Sequence, residues 1–336
     1  MLKKEQIMVS VAIPVYNQQR YITETLLSAL NQKTDFDYEI VVGDDCSTDD
    51  TRSILADFKQ KYPQKINIIY NEKNIGSLLN EKSVLDHCKG KYIALLDGDD
   101  LFFNEKKLQR QYDFLENNPQ YGVVHSDARL LIEDELSESK VFDSINDYFH
   151  REIKVGDVFE ELLLRYYITA CTVFFQRDLH IKHSDFDAWS KLGFLMPDVP
   201  MLLEFSKFSK IAYIKESLSV YRLLPGSISH PNNKYKKLRF LLSVAKVNLY
   251  FSEKYGVSDA VRKEMLNNNF CLNLECLLHF KDKEVKEKVI EHFNCNKPHS
   301  ALISLYYWAG KSVAGSFLFK VFRKISKLLN IDLYIF

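Results

Sequence analysis

The sequence has no excess charge of either sign: 45 Lys and Arg balance 45 Asp and Glu across 336 residues. That balance argues against a nucleic-acid partner, which draws a concentration of basic residues. No C-x-x-C pair occurs. The six cysteines, Cys46, Cys88, Cys171, Cys271, Cys276 and Cys295, read as buried thiols in a reducing compartment and not as a disulfide framework. A signal-peptide pattern is also missing. After MLKK the apolar run is short, β-branched and broken by Pro14, the signature of a strand. A cytoplasmic protein is expected. There is no internal repeat and no low-complexity tract. Two phosphate-binding signatures are absent as well: no G-x-x-x-x-G-K-[ST] occurs, and no G-x-G-x-x-G follows the first strand-like segment.

What is present is a regular alternation. VSVAIPVY (9–16), DYEIVVGDD (37–45), INIIY (66–70) and KYIALLD (91–97) read as strands. Between them, apolar residues recur at helical spacing: Ile22, Leu26, Leu27 and Leu30, then Ile54, Leu55, Phe58 and Tyr62, then Leu78, Leu79, Leu85 and Cys88. Asn104 is expected to N-cap a further helix carrying Leu108, Tyr112 and Leu115, which stops at Asn118-Pro119. Such alternation implies an α/β fold with a doubly wound, mostly parallel sheet. Ligands of these sheets bind at the strands' carboxyl ends. Tyr16-Asn17, Asp44-Asp45 and Asp97–Asp100 all fall there. Residues 131–165 are polar and acidic, and read as an excursion; 169–177 and 209–222 resume strand patterning. After about residue 235 the pattern is helical. The tail then pairs ALISLYYWAGKSVAGSFLF (301–319), with the single charge Lys311, with a helix whose apolar face is Leu318, Val321, Phe322, Ile325 and Leu329, opposite Lys320, Arg323, Lys324 and Lys327. This is the pattern of a helix lying in a membrane surface, with packing on the protein's own core as the alternative. A span is disfavoured, because a central lysine costs about 2.5–3.5 kcal/mol.

Without a glycine-rich phosphate loop, the common way to hold a diphosphate on such a sheet is a divalent cation. Mg²⁺ and Mn²⁺ take carboxylate oxygens and bridge to phosphates. Asp97-Gly98-Asp99 puts two carboxylates on one side of an extended turn, and Gly98 is expected to leave room for a close ligand. Asp100 is the third candidate ligand. The bland alternative is a solvated acidic turn before the next helix.

VSVAIPVYNQQRYITETLLSALNQ, YEIVVGDDCSTDDT, NIGSLLN, CKGKYIALLDGDD and KLQRQYDFLENNPQYGVVHSD, in this order, resemble family 2 glycosyltransferases of the GT-A fold. The resemblance is nearest to bacterial enzymes of capsule, O-antigen and other surface-polysaccharide assembly. It covers roughly residues 8–230. It implies a GT-A catalytic domain over 1–230; the helical extension over 231–298 and the basic tail over 299–336 are read from pattern alone and match nothing in the family. It implies a nucleotide-sugar donor, UDP-linked by preference. Pro14, Val15, Tyr16 and Asn17 would shape the nucleotide pocket and Asp44 would contact the base. Asn74, Gly76 and Asn80 would line the donor site, and Asp97 and Asp99 would hold donor and metal. Asp198 falls at the position of the family's base, with Glu204 and Asp187 as substitutes. Arg222 and Ser227 match a closing segment, where Arg222 would hold phosphate.

The implied reaction is metal-dependent, inverting transfer to a hydroxyl of a glycan or lipid-linked glycan at the inner membrane face. Three departures stand out: Leu79 replaces an expected Arg, Pro197 a Glu and Leu224 a His. They motivate the rival reading of a catalytically degenerate nucleotide-sugar-binding or scaffold protein. A sugar-1-phosphate nucleotidyltransferase is disfavoured, because PVYNQQRYI lacks a Gly-rich loop with Arg and Lys. His125 is expected near the ligand edge. His180 and His183 lack the partners for a zinc site.

Overall fold

The computed structural model describes residues 6–133, 139–227, 233–266 and 268. The basic tail, Cys271, Cys276, Cys295 and most of the helical extension lie outside them. The chain divides into two compact units, Met1–His230 and Pro231–Phe336. In the second, the helix Lys234–Tyr255 is the main described element.

The first unit starts with β1 (Val9–Val15), α1 (Ile22–Leu30), β2 (Tyr38–Asp44), α2 (Thr51–Lys61), β3 (Ile66–Tyr70), α3 (Ser77–His87) and β4 (Tyr92–Leu95). These strands run parallel, β2 beside β3 and β1 between β2 and β4. Their carboxyl ends therefore open on one edge. β1 is buried along nearly its whole length, as a strand covered on both faces requires. Pro14 follows the last β1–β4 pair, Ala12–Leu95, so its missing N–H interrupts no bond to β4. α1 buries Ile22, Thr25, Leu26 and Ala29, spaced three and four residues apart.

Then come β5 (Leu101–Phe102), α4 (Lys107–Asn117), β6 (Tyr121–Ile132), β7 (Lys140–Phe142), α5 (Ile145–Tyr148), α6 (Phe159–Leu164), β8 (Phe174–Gln176), α7 (Arg177–His183), α8 (Phe186–Lys191), α9 (Asp198–Phe208) and β9 (Lys210–Leu223). The sheet order is β3-β2-β1-β4-β8-β6-β9-β5, with β7 beside β6. β8 is antiparallel to β4 and β6, whereas β6 and β9 are parallel. This is the α/β sheet expected from the pattern, with antiparallel pairing confined to its second half.

Three local expectations are corrected. Asn104 does not cap α4; its Oδ1 accepts from the Lys106 N–H at 2.8 Å, and the helix starts at Lys107. The excursion over 131–165 contains the end of β6, β7, α5 and α6, because the long partner β9 extends the pairing of β6 to Ile132. His125 is not at the ligand edge. It lies buried inside β6 with ring centres of Tyr213 and Tyr167 at 5.0 and 6.1 Å, and burial pushes its pKa down to about 3.

Candidate active site

The chain leaves β4 and turns at Asp97–Asp100, closed by the Asp100 N–H donating to the Asp97 carbonyl at 3.1 Å. The Thr25 hydroxyl of α1 lies 3.0 Å from the Gly98 carbonyl and 2.7 Å from that of Asp100. From β9, Arg222 donates through Nη1 to the Asp99 carbonyl at 2.7 Å and through its backbone N–H to Asp100 Oδ1 at 2.8 Å. The space at Gly98 is already filled by the protein: a Cβ there would lie 2.6 Å from Val15 Cγ1. Glycine is needed to seat the turn on β1, and the expected room for a ligand is corrected accordingly.

The turn sorts its carboxylates. Burial, then the charges of Asp99 and Asp198, push the Asp97 pKa up to about 7. Burial also raises Asp99, against the pull of Arg222 and a hydrogen bond from Gln18. Both remain partly accessible. Asp100 is 1% exposed, bonded to Arg222, and pushed well up by burial and by its two neighbours. Its expected place as a metal ligand is therefore corrected: its carboxyl faces inward and ties the turn to β9. Asp97 and Asp99 suit a hard divalent cation, being oxygen donors whose mutual repulsion a cation would relieve. Among the described residues no cluster of three or more His, Cys, Asp or Glu could hold a metal ion. The remaining ligands of a cation here would come from phosphate or water.

Two more acids converge on Asp97. Asp198 opens α9, and its Oδ2 accepts the Tyr166 hydroxyl at 3.1 Å. Burial raises its pKa, and the Tyr166 bond opposes the rise. Glu81 of α3 is 4% exposed, and burial followed by Asp97 and Asp198 pushes it well up. Glu81 and Tyr166 went unseen in the sequence. Glu81 did leave a signal, as the charged member of the buried face formed by Leu78, Glu81, Val84 and Leu85. The substitutes for Asp198 do not gather here: Asp187 is exposed on α8 beside Lys82, and Glu204 is buried about 1.7 turns along α9.

On the donor side, Tyr16 is 45% exposed just beyond β1. Asn17 has a φ of 53° and accepts from the Thr48 N–H at 2.8 Å, while its own N–H donates to Ser47 Oγ at 2.9 Å, so the β1 and β2 ends are cross-tied. Asp44 is fully buried and its Oδ2 accepts from Arg52 Nε at 2.5 Å. Direct base contact by Asp44 is corrected on that ground: its carboxylate is turned inward and held by Arg52, which also donates to the Asn71 carbonyl at 2.6 Å. Asp45 accepts from the Ile75 and Gly76 N–H groups at 2.8 and 2.9 Å, which fixes the loop entering α3. Asn74 donates to the Asp45 carbonyl at 3.2 Å, and Gly76 takes a φ of 87° that favours glycine. Asn80 is buried, donating to the Gly43 carbonyl at 2.8 Å and accepting from Asn71 at 3.1 Å. Its expected lining role is corrected to support of that loop.

Arg222 presents no free fork for phosphate. It is 5% exposed, paired with Glu24, 3.5 Å from Glu133 and 2.7 Å from the Asp99 carbonyl. His180 contacts Asp86 at 3.1 Å and His183 stacks on Phe208. Surface cavities of about 410 and 280 Å³ lie elsewhere, the first against Lys89, Lys91 and Glu116, the second against Asp86 and Arg177. No helix among the described residues is long and apolar enough to cross a membrane.

Residues 10–180 match the family model described as Glycosyl transferase family 2. The chain is 38% identical over 108 residues to the putative teichuronic acid biosynthesis glycosyltransferase TuaG of Bacillus subtilis (strain 168), covering 32% of this chain and 42% of TuaG. It spans 58% of the length of uncharacterized mycobacterial proteins 32% identical to it. S. aureus TarS 1–349, solved in complex with UDP-GlcNAc, superimposes with a TM-score of 0.57 at 17% identity, over 86% of this chain and 80% of that one. The mannosyltransferase PcManGT from Pyrobaculum calidifontis, in complex with GDP-Man and Mn²⁺, gives 0.50 at 15% identity, over 96% and 81%. At these identities the structural likeness is one of fold.

Proposed function

The chain belongs to glycosyl transferase family 2 and has a GT-A-type α/β fold, and we propose that it transfers a sugar from a nucleotide-diphosphate sugar to a hydroxyl of a glycan or lipid-linked glycan in bacterial surface-polysaccharide synthesis. The convergence of Asp97 and Asp198 at the carboxyl edge of the sheet carries this reading. Two carboxylates from segments a hundred residues apart thus lie within electrostatic reach of each other, as a donor-side acid and a base would. TuaG supports the polysaccharide context. UDP-GlcNAc on TarS and GDP-Man with Mn²⁺ on PcManGT support a nucleotide-sugar donor and a divalent cation. UDP is the preferred nucleotide.

The nucleotide lies against Pro14, Tyr16 and Asn17 and beside the Asn74–Gly76 loop, with Asp44 acting through Arg52. Asp97 and Asp99 hold a divalent cation, Mn²⁺ or Mg²⁺, which when bound neutralises charge on the departing diphosphate. Arg222 and Thr25 set the turn that carries both carboxylates. Asp198 accepts the proton of the attacking hydroxyl; its raised pKa makes it a better base than an exposed aspartate, and the Tyr166 hydrogen bond favours its ionised form. Single displacement opposite the leaving group inverts the anomeric centre. The tail 299–336 holds the enzyme at the inner face of the membrane, where a lipid-linked acceptor is found.

The rival, a degenerate nucleotide-sugar-binding protein, draws on Leu79, Pro197 and Leu224. Glu81 speaks against it, because it supplies a second acid beside Asp198 where the chain has Pro197. Transfer and donor hydrolysis of UDP-GlcNAc and GDP-Man with Mn²⁺ decide between them. Activity in the wild type, lost in Asp198→Asn and Asp99→Asn, is expected. Unchanged turnover in both variants overturns the assignment, and nucleotide binding without turnover in the wild type favours the rival.

A further inference from the structure

Arg151 follows α5 and is partly buried. Among the described residues it has no carboxylate partner at salt-bridge distance, unlike Arg52 with Asp44 and Arg222 with Glu24. Its Nη1 makes two long contacts, to the Tyr167 carbonyl at 3.3 Å and to Thr169 Oγ1 at 3.4 Å. Neither brings a negative charge. The acid whose charge acts on it is Asp127, and that carboxylate is already engaged by Ser144, Asn146 and the Ala128 N–H. Burial holds the Arg151 pKa below its ordinary value. A partly desolvated cation without a counter-ion is unfavourable, which makes Arg151 a candidate binding group.

Its surroundings say what would bind. The Arg151 guanidinium lies 4.9 Å from the ring centre of Phe149. Phe149 and Tyr148 are 40% and 41% exposed, with ring centres 4.9 Å apart. Exposed aromatic faces offer an apolar surface that suits the C–H face of a pyranose. At the other end, Arg151 is bonded to Tyr167, whose chain neighbour Tyr166 holds Asp198. The charge of Arg151 reaches Tyr166 itself. The cation and the rings are therefore linked to the base through the Tyr166–Tyr167 pair.

We propose that Arg151 is an anion-binding residue of the acceptor site, taking a phosphate or carboxylate carried by the acceptor sugar while Phe149 and Tyr148 stack on the ring. This deepens the reading above and rests on its assignment of Asp198 to the acceptor side. A bidentate guanidinium contact positions an oxyanion by geometry as well as charge. An acidic glycan thereby becomes the acceptor class.

The test uses the full chain with three matched probes: p-nitrophenyl β-glucoside, its 6-phosphate, and p-nitrophenyl β-glucuronide. Each is titrated in the presence of UDP and Mn²⁺ into wild type, Arg151→Gln and Arg151→Lys. At least one charged probe should bind wild type about tenfold tighter than the neutral one, as a charge-assisted contact provides. Which charged probe wins separates phosphate from carboxylate. The preference should vanish in Arg151→Gln and survive in part in Arg151→Lys. Inorganic phosphate should compete with the charged probes and spare the neutral one, a check that needs no variant to fold. Equal binding of charged and neutral probes, no binding of any, or a preference intact in Arg151→Gln overturns the proposal. UDP is titrated alone as well: absence of UDP binding with the anion preference intact contradicts the donor reading and not this one. A loss of UDP affinity in Arg151→Gln that matches the loss for the charged probe assigns Arg151 to the donor and overturns the acceptor assignment.

Discussion

Replacing Tyr166 by Phe isolates the most consequential hydrogen bond of the site, the 3.1 Å contact from its hydroxyl to Asp198 Oδ2. Burial raises Asp198, and this bond, which favours the ionised form, opposes the rise. A hydrogen bond to a charged group is worth about 1.5–3 kcal/mol. At about 1.4 kcal/mol per pK unit, its loss would raise the base by about one to two units. Asp198 is only partly shielded from the cleft, so water replaces some of the bond and about one unit is expected. The base works ionised. Raising its pKa therefore moves the acidic limb of the kcat/KM profile to higher pH by about one unit, with about a tenfold loss below the limb and little change on the plateau. The assay is the pH dependence of turnover at saturating Mn²⁺, which on the proposed reading would keep Asp97 and Asp99 ionised. An acidic limb that stays in place, or moves to lower pH, refutes the role assigned to Asp198 and Tyr166.

Glu81→Gln tests the buried acid of α3 through stability. Its folded pKa lies well above 4.5, so above pH 4.5 the unfolded chain binds fewer protons than the native one and wild type loses stability as pH rises. Without metal, the variant should gain on wild type by about 1.4 kcal/mol per pH unit until the folded pKa is passed, and match it below pH 4.5; a constant difference in denaturant titrations contradicts this. Gly98→Ala should destabilise by about 1–3 kcal/mol, because the new Cβ meets Val15 Cγ1 at 2.6 Å; an unchanged denaturation midpoint would show that β1 yields freely. Truncation after Asn296 should shift the protein from membrane to soluble fractions, and equal partition of both forms at physiological salt removes the tail's assigned role.

Much of the fold was legible because its first half obeys local rules. β1 to β4 are mostly apolar runs, and the helices between them repeat at helical spacing, so the parallel half and its ligand edge followed from pattern alone. β6 did not, since its extension to Ile132 depends on pairing with β9, more than seventy residues on. In the site, residue types were readable but facing directions were not. Asp44, Asn80, Asp100 and Arg222 carry the expected chemistry, yet each is turned into the protein by a partner: Arg52, Gly43, the Arg222 backbone, and Glu24 with the Asp99 carbonyl. Arg151 comes from the polar excursion and Tyr166 directly follows it, where no periodicity marks which side chain meets the site.

The central claim is that Asp97 and Asp99 hold a nucleoside diphosphate through a divalent cation. Calorimetric titration of UDP and GDP, with Mn²⁺ and with EDTA, into wild type and Asp99→Asn tests it most directly. Mn²⁺ should tighten binding of one nucleotide by at least about tenfold in wild type and by less than about twofold in the variant. Affinity that is the same with Mn²⁺ and EDTA, or Mn²⁺ enhancement that survives in Asp99→Asn, would contradict it.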